Sequence, residues 1–468
     1  MVTAGIVVTI CRLSPATAAA ASPHHSQQSR QNNVINNVGT SCIPHERDAL
    51  LTLKQGITKD PYGLLDSWRG GDKDCCHWRG VRCSNRTGHV LKLELRNVHA
   101  TRDDDYDQVR NTALVGQISH ALLFLDRLFH LDLSMNYLNG SSGRIPEFLS
   151  SMVSLRYLNL SGIPYSGRVP PHLGNLSKLQ YLDLSGVFYR ISMYSTDISW
   201  LAGLPVLEHL SMSMVNLSTI VDWPDVVNLI PSLKVLDLRY CSLTCANQSL
   251  PHINLTNLER LDLSGNSFHH PMASSWFWNL TGLHLFLGGS NLYGKVPDEL
   301  GVMTSLQIVD MSFNQNIGVM SMNLKKLCKL TVLDISWCFA NGNMMELIEQ
   351  MPQCPSNKLL ELHLARNNIT GILPSQMAHL TSLVVLDISD NYVSGIIPPG
   401  LGKLASLSTL DLSGNLFSGH VPSAIGKLAN LTLLNLGSNK LNGDITEKHF
   451  AMLAKTEMVI LIFKLLED

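Results

Sequence analysis

The sequence predicts an α/β repeat fold, in which short units stack side by side into a solenoid. The pattern L-x-x-L-x-L-x-x-N occurs at Leu383–Asn391, Leu407–Asn415 and Leu431–Asn439, so neighbouring copies are offset by 24 residues. Regular self-similarity at this spacing is the signature of a repeat architecture. Within each copy, apolar and polar residues alternate as in a strand with one buried face. One copy buries too little apolar surface to offset its lost conformational entropy, so each unit requires neighbours.

The asparagine at the end of each pattern lies where the chain turns away from the strand. Its side-chain amide can bond backbone groups that the turn leaves unpaired, so we expect stacked units to form an asparagine ladder. These features define a leucine-rich repeat solenoid, a curved or superhelical stack with a parallel β-sheet on its concave face. About fourteen units are expected within residues 90–450, with first positions at Val90, Leu128, Leu155, Leu179, Leu207, Leu233, Leu258, Leu283, Leu306, Leu330, Leu359, Leu383, Leu407 and Leu431.

Several units depart from this pattern. Ile163, Val187 and Val215 stand where asparagine is expected. The unit that starts at Leu283 places Gly288 at a core position, which leaves the register of this unit open.

The cysteines within the repeats are predicted to have structural roles. Cys241 and Cys338 occupy the asparagine position of their units and are predicted to be buried thiols. Cys328 and Cys354 flank a longer unit and are predicted to form a bridge, whereas Cys245 is expected to stay free.

Residues 42–89 are predicted to form an N-terminal cap. The segment Glu46–Lys54 has apolar residues at helical spacing, and a proline at position 61 follows its end. Four cysteines, at positions 42, 75, 76 and 83, allow three pairings. Adjacent cysteines rarely bond each other, which favours Cys42–Cys75 with Cys76–Cys83. Each bridge would contribute about 2–4 kcal/mol and close the exposed end of the stack.

The cap and the second half of the repeats resemble those of plant proteins. The block Cys75–Cys83 reads C-C-x-W-x-G-V-x-C and resembles the N-terminal cap of plant extracellular leucine-rich repeat proteins. A G-x-I-P-like motif that resembles the plant-specific repeat class recurs at Gly143–Pro146, Gly167–Pro170, Gly294–Pro297, Gly371–Pro374, Gly395–Pro398 and Gly419–Pro422. Over residues 42 to about 450 the chain resembles plant receptor-like proteins, which are kinase-less cell-surface receptors associated with pathogen sensing. The resemblance implies a ligand-binding solenoid, a membrane helix beyond it and a partner kinase.

The chain is expected to enter the secretory pathway and to reach the plasma membrane exterior or the apoplast. Residues 1–21 combine a short apolar run with small residues suited to cleavage, which predicts a signal peptide, and residues 22–41 are predicted to be a flexible lead-in. The 10 cysteines fit an oxidising compartment. No stretch of 18 apolar residues occurs, so no membrane span is predicted. Predicted N-glycosylation sites are Asn85, Asn139, Asn175, Asn216, Asn247, Asn254, Asn279, Asn368 and Asn430, whereas the sequon at Asn159 lies on a strand and is expected to be unmodified.

Residues 451–468 depart from the repeat pattern and are predicted to be an atypical tail. Members of the resembled family continue with more repeats, a membrane helix and a cytosolic tail, so this chain is expected to be truncated at its C-terminus or to be a secreted short form. The segment Met458–Phe463 is expected to pair as a last strand.

Composition and motifs argue against catalysis and against nucleic acid. The formal net charge is −2 and no basic stretch with interleaved aromatic residues occurs, so no nucleic-acid partner is predicted. No signature of a serine hydrolase, zinc protease, kinase or phosphate-binding loop occurs, so no enzyme activity, metal site or cofactor is predicted. An aspartate recurs on the strands and is interpreted as strand structure, at Asp132, Asp183, Asp237, Asp262, Asp310, Asp334, Asp387 and Asp411.

Binding is the better hypothesis, because large side chains interrupt the small residues of the strand face. Tyr, Trp and Arg supply contact area and fixed donors at protein interfaces. The candidate ligand contacts on the concave face are His130, Tyr157, Tyr181, His209, Arg239, Tyr240, Phe313, Trp337, Glu361, His363 and Arg366. The favoured function is the ligand-binding ectodomain of a receptor-like protein in defence or developmental signalling, with a protein or peptide ligand and a co-receptor kinase as partners. The alternatives are a secreted inhibitor of pathogen cell-wall-degrading enzymes and a non-functional receptor gene fragment.

Overall fold

The computed structural model describes residues 41–100, 106–187, 193–244, 250, 252–280, 284–318, 322–449 and 458–460. The predicted signal peptide and the thiol of Cys245 lie outside these residues, as do the sequon at Asn247 and most of the predicted tail.

A long sheet runs through the whole described chain and contains 16 strands there. In chain order these are β1 Val81–Cys83, β2 Val90–Glu94, β3 His130–Asp132, β4 Tyr157–Asn159, β5 Tyr181–Asp183, β6 His209–Ser211, β7 Val235–Asp237, β8 Arg260–Asp262, β9 His284–Phe286, β10 Ile308–Asp310, β11 Val332–Asp334, β12 Glu361–His363, β13 Val385–Asp387, β14 Thr409–Asp411, β15 Leu433–Asn435 and β16 Met458–Ile460. Strand β1 pairs antiparallel with β2, and every later strand pairs parallel with the one before it. The predicted solenoid with its parallel sheet is confirmed.

The strands are held in register by a column of buried leucines. Leu131, Leu158 and Leu182 face one another in successive strands and are fully buried. Because side chains alternate along a strand, the residues on either side of each leucine point to the opposite, concave face. The leucines belong to one continuous apolar core that extends from the cap to the last repeats.

Short helices form a second column that packs against the same core. The α-helices are Pro44–Gln55, Tyr106–Thr112, Trp223–Val227 and Met344–Glu349, and the 3₁₀-helices are Cys75–His77, His120–Phe124, Glu147–Ser151, Pro171–Asn175, Ser199–Gly203, Met272–Ser274, Trp276–Asn279, Asp298–Val302, Ser375–His379, Pro399–Lys403, Ser423–Lys427 and Glu447–His449. Leu401 and Ile425, one from each of two successive helices, are both buried in the core.

Small flanking sheets connect the long sheet to the helices. They pair Ile57–Lys59 with Val115–Gly116, Gly167–Arg168 with Met193–Tyr194, Tyr293–Lys295 with Gln315–Gly318, and Asn341–Asn343 with Asn368–Thr370, and in the last of them Leu416–His420 pairs with both Ser394–Gly395 and Lys440–Asn442. Several of these segments coincide with the G-x-I-P-like motifs, which explains the glycines with positive φ at positions 167, 294, 395 and 419.

The predicted asparagine ladder is present. The Nδ2 atom of Asn415 donates to the carbonyl of Ile388 at 2.8 Å, in the preceding repeat, and to that of Leu412 at 3.2 Å. Its Oδ1 atom accepts from the amide of Val393 at 3.0 Å. Equivalent bonds from the amide to the preceding repeat are made by Asn136, Asn266, Asn314, Asn367, Asn391 and Asn439.

Other residues replace asparagine in the ladder as expected. The thiols of Cys241 and Cys338 are buried and donate to the carbonyls of Met212 at 3.2 Å and Met311 at 3.1 Å. Burial raises the pKa of the Cys338 thiol to about 12, so it stays protonated. Both cysteines therefore fill a structural position.

The structure decides the register around Gly288, and the predicted start of this unit at Leu283 is wrong by one residue. Leu285 faces Leu261 and Val309 in the neighbouring strands, and Leu285 and Leu287 are both fully buried. The unit therefore starts one residue before Leu283, and Gly288 lies on the concave face. Alternate leucines at 283, 285 and 287 offer two registers, and pairing with the neighbours selects between them.

The cap is built as the cysteines predict. Disulfides join Cys42 to Cys75 and Cys76 to Cys83, and a third joins Cys328 to Cys354 within the repeats.

A buried carboxylate fixes the cap to the first repeat. The cap helix Pro44–Gln55 contains Glu46, whose Oε2 atom accepts from the amide of Val90 at 2.6 Å, while Oε1 lies 2.7 Å from Nδ1 of His89. Because Val90 begins β2, this contact aligns the cap with the long sheet.

Candidate ligand-binding surface

Four of the predicted contacts form one stack of rings on the concave face. His130, Tyr157, Tyr181 and His209 are the first residues of β3, β4, β5 and β6 and lie in register. Successive ring centroids are 4.0, 4.2 and 4.1 Å apart, with interplanar angles of 8°, 12° and 13°. We call this set the aromatic ladder. Because each ring supports the next, the ladder presents a preorganised strip across four repeats.

Polar groups surround the first half of the aromatic ladder. The Nε2 atom of His130 lies 3.4 Å from Oε1 of Glu94, and the Tyr157 hydroxyl lies 3.5 Å from Oδ2 of Asp132. Asn159 donates to the same hydroxyl at 3.4 Å. Burial lowers the pKa of His130, and the positive charge of Lys92 lowers it further. The negative charge of Glu94 opposes this shift. This part of the surface therefore offers hydrogen-bonding groups beside the stacked rings.

The aspartates of the strands bond within their own repeats. In one example, Oδ1 of Asp132 accepts from the amide of Ser134 at 3.0 Å and from its hydroxyl at 2.6 Å. The same pair of bonds recurs at Asp183, Asp310 and Asp411. These carboxylates therefore stabilise the turn that follows each strand, which accords with the structural interpretation of the aspartate column.

Two arginines cover two buried carboxylates in the middle of the face. Arg239 donates from Nε and Nη2 to both oxygens of Asp237, at 3.0 and 2.9 Å. Arg260 donates to Oδ2 of Asp262 at 2.9 Å, and its guanidinium carbon lies 4.0 Å from the ring centroid of Phe286. Burial, reinforced by the charge of Asp237, raises the pKa of Asp262, although Arg239 opposes this shift. The guanidinium groups lie between the carboxylates and the solvent.

A second row of large side chains lies along the edge where the strands end. Phe313 stacks on Trp337 with centroids 5.4 Å apart, and the Arg366 guanidinium lies 4.2 Å from the Trp337 ring centroid. Arg366 then pairs with Asp390 through an Nε–Oδ2 distance of 3.1 Å. We call Phe313, Trp337, Arg366 and Asp390 the edge row. Its side chains come from equivalent positions in four successive repeats.

The edge row occupies a backbone position that favours glycine. Its φ angles are 54° at Phe313, 57° at Trp337, 54° at Arg366 and 51° at Asp390, all in the left-handed region. The equivalent residue is glycine in other repeats, at positions 162, 265, 289 and 414. An L-residue in this region costs about 1–2 kcal/mol, yet Phe313 remains 58% exposed and Trp337 36% exposed. These side chains therefore do not gain their stabilisation from the core.

The remaining predicted contacts flank these features. Tyr240 occupies the same left-handed position, with φ at 53°, and is 41% exposed. Glu361 and His363 alternate on β12, with Oε2 and Nε2 3.1 Å apart. All eleven predicted contacts thus lie on the concave face or its edge, in an N-terminal group, a central group and a C-terminal group.

Several members of the surface were not predicted from the sequence. Arg260, Phe286 and Asp390 join it. Phe286 stands at the strand position where an aspartate recurs in other repeats. Comparing the equivalent positions of the repeats in the sequence could therefore have identified it.

The predicted glycosylation sites differ in exposure. Exposed asparagines are Asn85, Asn175, Asn254, Asn279 and Asn430, and partly buried ones are Asn139, Asn216 and Asn368. Asn159 is buried within β4.

Protein families match both the cap and the repeats. The leucine rich repeat N-terminal domain matches residues 43–84, and leucine rich repeat families match residues 257–280 and 357–417. The chain is a leucine-rich repeat protein. In its described part, no helix combines the length and the apolar character needed to cross a bilayer.

This leucine-rich repeat protein has relatives among plant receptors. It is 33% identical to receptor-like protein EIX1 of Solanum lycopersicum over 286 residues. This aligned region covers 59% of this chain and 27% of the relative. It is 34% identical over 304 residues to receptor-like protein EIX2 of the same plant, covering 64% and 28%. The chain thus spans about a quarter of the length of these relatives. The solved structure of the plant peptide hormone receptor RGFR1 in complex with RGF2 is 25% identical with a TM-score of 0.57, covering 81% of this chain and 59% of that chain.

Proposed function

We propose that this chain is the ligand-binding part of a plant cell-surface receptor-like protein, and that it recognises an extracellular protein or peptide on its concave face. The relationship to receptor-like proteins supports the receptor role. The disulfides support a location outside the cytosol. A co-receptor kinase is the partner that passes on the signal in this proposal, as the resemblance implies.

The observation that carries the proposal is the exposure of large side chains at strained backbone positions. Tyr240, Phe313 and Trp337 adopt left-handed φ angles where glycine is the cheaper choice, and each remains at least 36% exposed. Exposed aromatic and arginine side chains are typical of binding hot spots. The side chains of the edge row and of the aromatic ladder are already held in place by their mutual contacts. They therefore lose little side-chain entropy when a partner binds.

A binding screen tests this proposal. The secreted chain is presented to extracellular plant peptides and to secreted microbial proteins, including cell-wall-degrading enzymes, and binding is measured by biolayer interferometry. We expect a partner whose affinity falls at least tenfold when Tyr240 and Trp337 are both replaced by glycine. The control Val302→Ser changes a residue that is 70% exposed on the helical side and is expected to leave affinity unchanged. Partners that bind both variants like the wild type would contradict the proposed surface, and inhibition of a cell-wall-degrading enzyme would favour the inhibitor alternative.

A further inference from the structure

A groove lies between the cap and the first repeats, next to the flanking sheet that pairs Ile57–Lys59 with Val115–Gly116. The cap helix Pro44–Gln55 contributes one wall, residues 117–120 of the first repeat contribute a second, and residues 138–148 of the following repeat contribute the third. Its volume is about 590 Å³, which lies within the range of small-ligand sites. A ligand that fills this groove would therefore contact three segments that are distant in the sequence. We call it the cap groove.

A glycosylation sequon forms part of the third wall. Asn139, Gly140 and Ser141 make up the sequon, and all three line the cap groove. The carbonyl of Asn139 accepts from the amide of Gly143 at 3.1 Å, so the sequon lies in a tight turn. Asn139 also forms a β-bridge with Gln117 of the preceding repeat. The acceptor residue is thus fixed by its backbone at the border of the groove.

The lining offers the groups that bind a sugar. The rings of His120 and Phe148 lie with their centroids 4.2 Å apart and provide an aromatic surface. Aromatic faces carry negative charge density, so the C–H groups of a sugar ring pack favourably on them. The side chains of Gln55 and Gln117 are exposed along the groove. Each amide can donate to and accept from a sugar hydroxyl.

The charges of the cap groove favour a neutral occupant. Arg144 and Glu147 both line it, and their opposite charges leave no excess of either sign to select an ion. A sugar attached to Asn139 would also be present at an effective concentration on the order of millimolar, because its linker is short. A free sugar would have to reach that concentration in solution to compete.

We propose that an N-linked glycan on Asn139 places its first sugars in the cap groove and thereby joins the cap helix to the repeats. Attachment forms a bond from Nδ2 to the anomeric carbon of the first N-acetylglucosamine and breaks the bond from that carbon to the diphosphate of a lipid-linked donor. The nitrogen loses one proton, and the lipid diphosphate is the leaving group. The remaining N–H can keep the bond to the carbonyl of Pro164, which is 3.4 Å long. This inference uses the extracellular location in the proposed function and is independent of the ligand on the concave face.

The first test compares two glycans of the full secreted chain. The chain is produced in plant cells that are kept from trimming their high-mannose glycans, and occupancy of Asn139 and Asn175 is measured by glycopeptide mass spectrometry. Asn175 is the matched control, because it is an exposed sequon at the end of the helix Pro171–Asn175. A core-cleaving endoglycosidase is expected to release the Asn139 glycan about tenfold more slowly than the Asn175 glycan in the native chain, because release requires the sugars to leave the groove. The two rates should be equal after denaturation.

Two substitutions test the contacts that the glycan makes. His120→Ala keeps the sequon and removes the exposed ring, so native release from Asn139 should approach the rate at Asn175. Ser141→Ala removes the sequon and keeps Asn139. Hydrogen exchange should then show about threefold less protection of the amides of Gln117 and Gly140, which donate to Gly56 and Gly116 at 3.1 Å beside the groove. Ser177→Ala, which removes the Asn175 sequon, should leave that protection unchanged.

The outcomes separate this inference from the proposed function. Occupied Asn175 with empty Asn139 would overturn the groove assignment and leave the extracellular location intact. Equal native release at the two sites, or unchanged amide protection in Ser141→Ala, would have the same meaning. A secreted chain with no glycan at any sequon would contradict both proposals. A protected Asn139 glycan on a chain for which the screen finds no partner would support the groove and count against the receptor role alone.

Discussion

Replacing Trp337 by glycine tests whether this side chain serves binding or the stability of the fold. In most proteins the loss of a tryptophan that contacts two neighbours is strongly destabilising. Here the residue has φ at 57° and is 36% exposed, so its removal relieves backbone strain and opens no cavity in the core. Folding and binding are therefore expected to respond in different ways.

The contacts and the strain allow the effect on stability to be worked out. Losing the stack with Phe313 costs about 0.5–1.5 kcal/mol, and losing the cation–π contact with Arg366 costs about 0.5–1 kcal/mol. Glycine also adds about 0.5–1 kcal/mol of unfolded-state entropy. Relief of the left-handed strain returns about 1–2 kcal/mol. The ring is about two-thirds covered, so exposing that area costs a further ~1–2 kcal/mol. The free energy of unfolding is thus expected to fall by about 2 kcal/mol, at the low end of the range for a core truncation.

Denaturant unfolding of Trp337→Gly beside Leu362→Ala measures this difference. Leu362 is fully buried in β12 of the neighbouring repeat, and its truncation is expected to cost about 2–5 kcal/mol. If Trp337→Gly destabilises the chain as much as Leu362→Ala, the ring is a structural element and the argument from strain is refuted. A hot-spot role predicts that binding falls by about 2 kcal/mol or more in the same variant.

Three further predictions concern the ladder, the cap and pH. Asn415→Ala removes the bonds that the buried amide donates to three carbonyls and the one that its oxygen accepts, so denaturant unfolding should show a loss of about 2–4 kcal/mol; an effect below about 0.5 kcal/mol would argue against the ladder. Removing the cap bridge with Cys42→Ser and Cys75→Ser should cost about 2–5 kcal/mol, whereas Cys338→Ala, which removes a buried thiol, should cost less. His130 has a lowered pKa in the folded chain, so its contribution to stability is present above its unfolded pKa and is lost as the pH falls through its folded pKa. His130→Phe keeps the stacked ring and should lose less stability between pH 7 and pH 5 than the wild type; parallel pH profiles would contradict this assignment.

The sequence is sufficient to predict the leucine column and the asparagine ladder, because each repeats a local rule, and it favours the pairing of the cap cysteines that the structure shows. Leu410 and its equivalents follow from the period-two pattern alone. The register at Gly288 is not predictable in this way, because alternate leucines fit two alignments and only pairing with Leu261 and Val309 decides between them.

The sequence predicts which residues belong to the candidate surface but not how their side chains are arranged on it. The strand pattern places His130 and Tyr157 on the concave face, yet their stacking depends on the spacing between repeats. The left-handed backbone at Phe313 and Trp337 is set by the turn after each strand, and no feature of those two residues signals it.

The most direct test of the central claim is the affinity of a partner from the binding screen for three forms of the chain. These are the wild type, the variant with Tyr240→Gly and Trp337→Gly, and the helical-side control Val302→Ser. The account predicts at least a tenfold loss of affinity for the double variant, with the control equal to the wild type and all three forms folded. Equal affinity for the wild type and a folded double variant would contradict the claim that the concave edge binds the ligand.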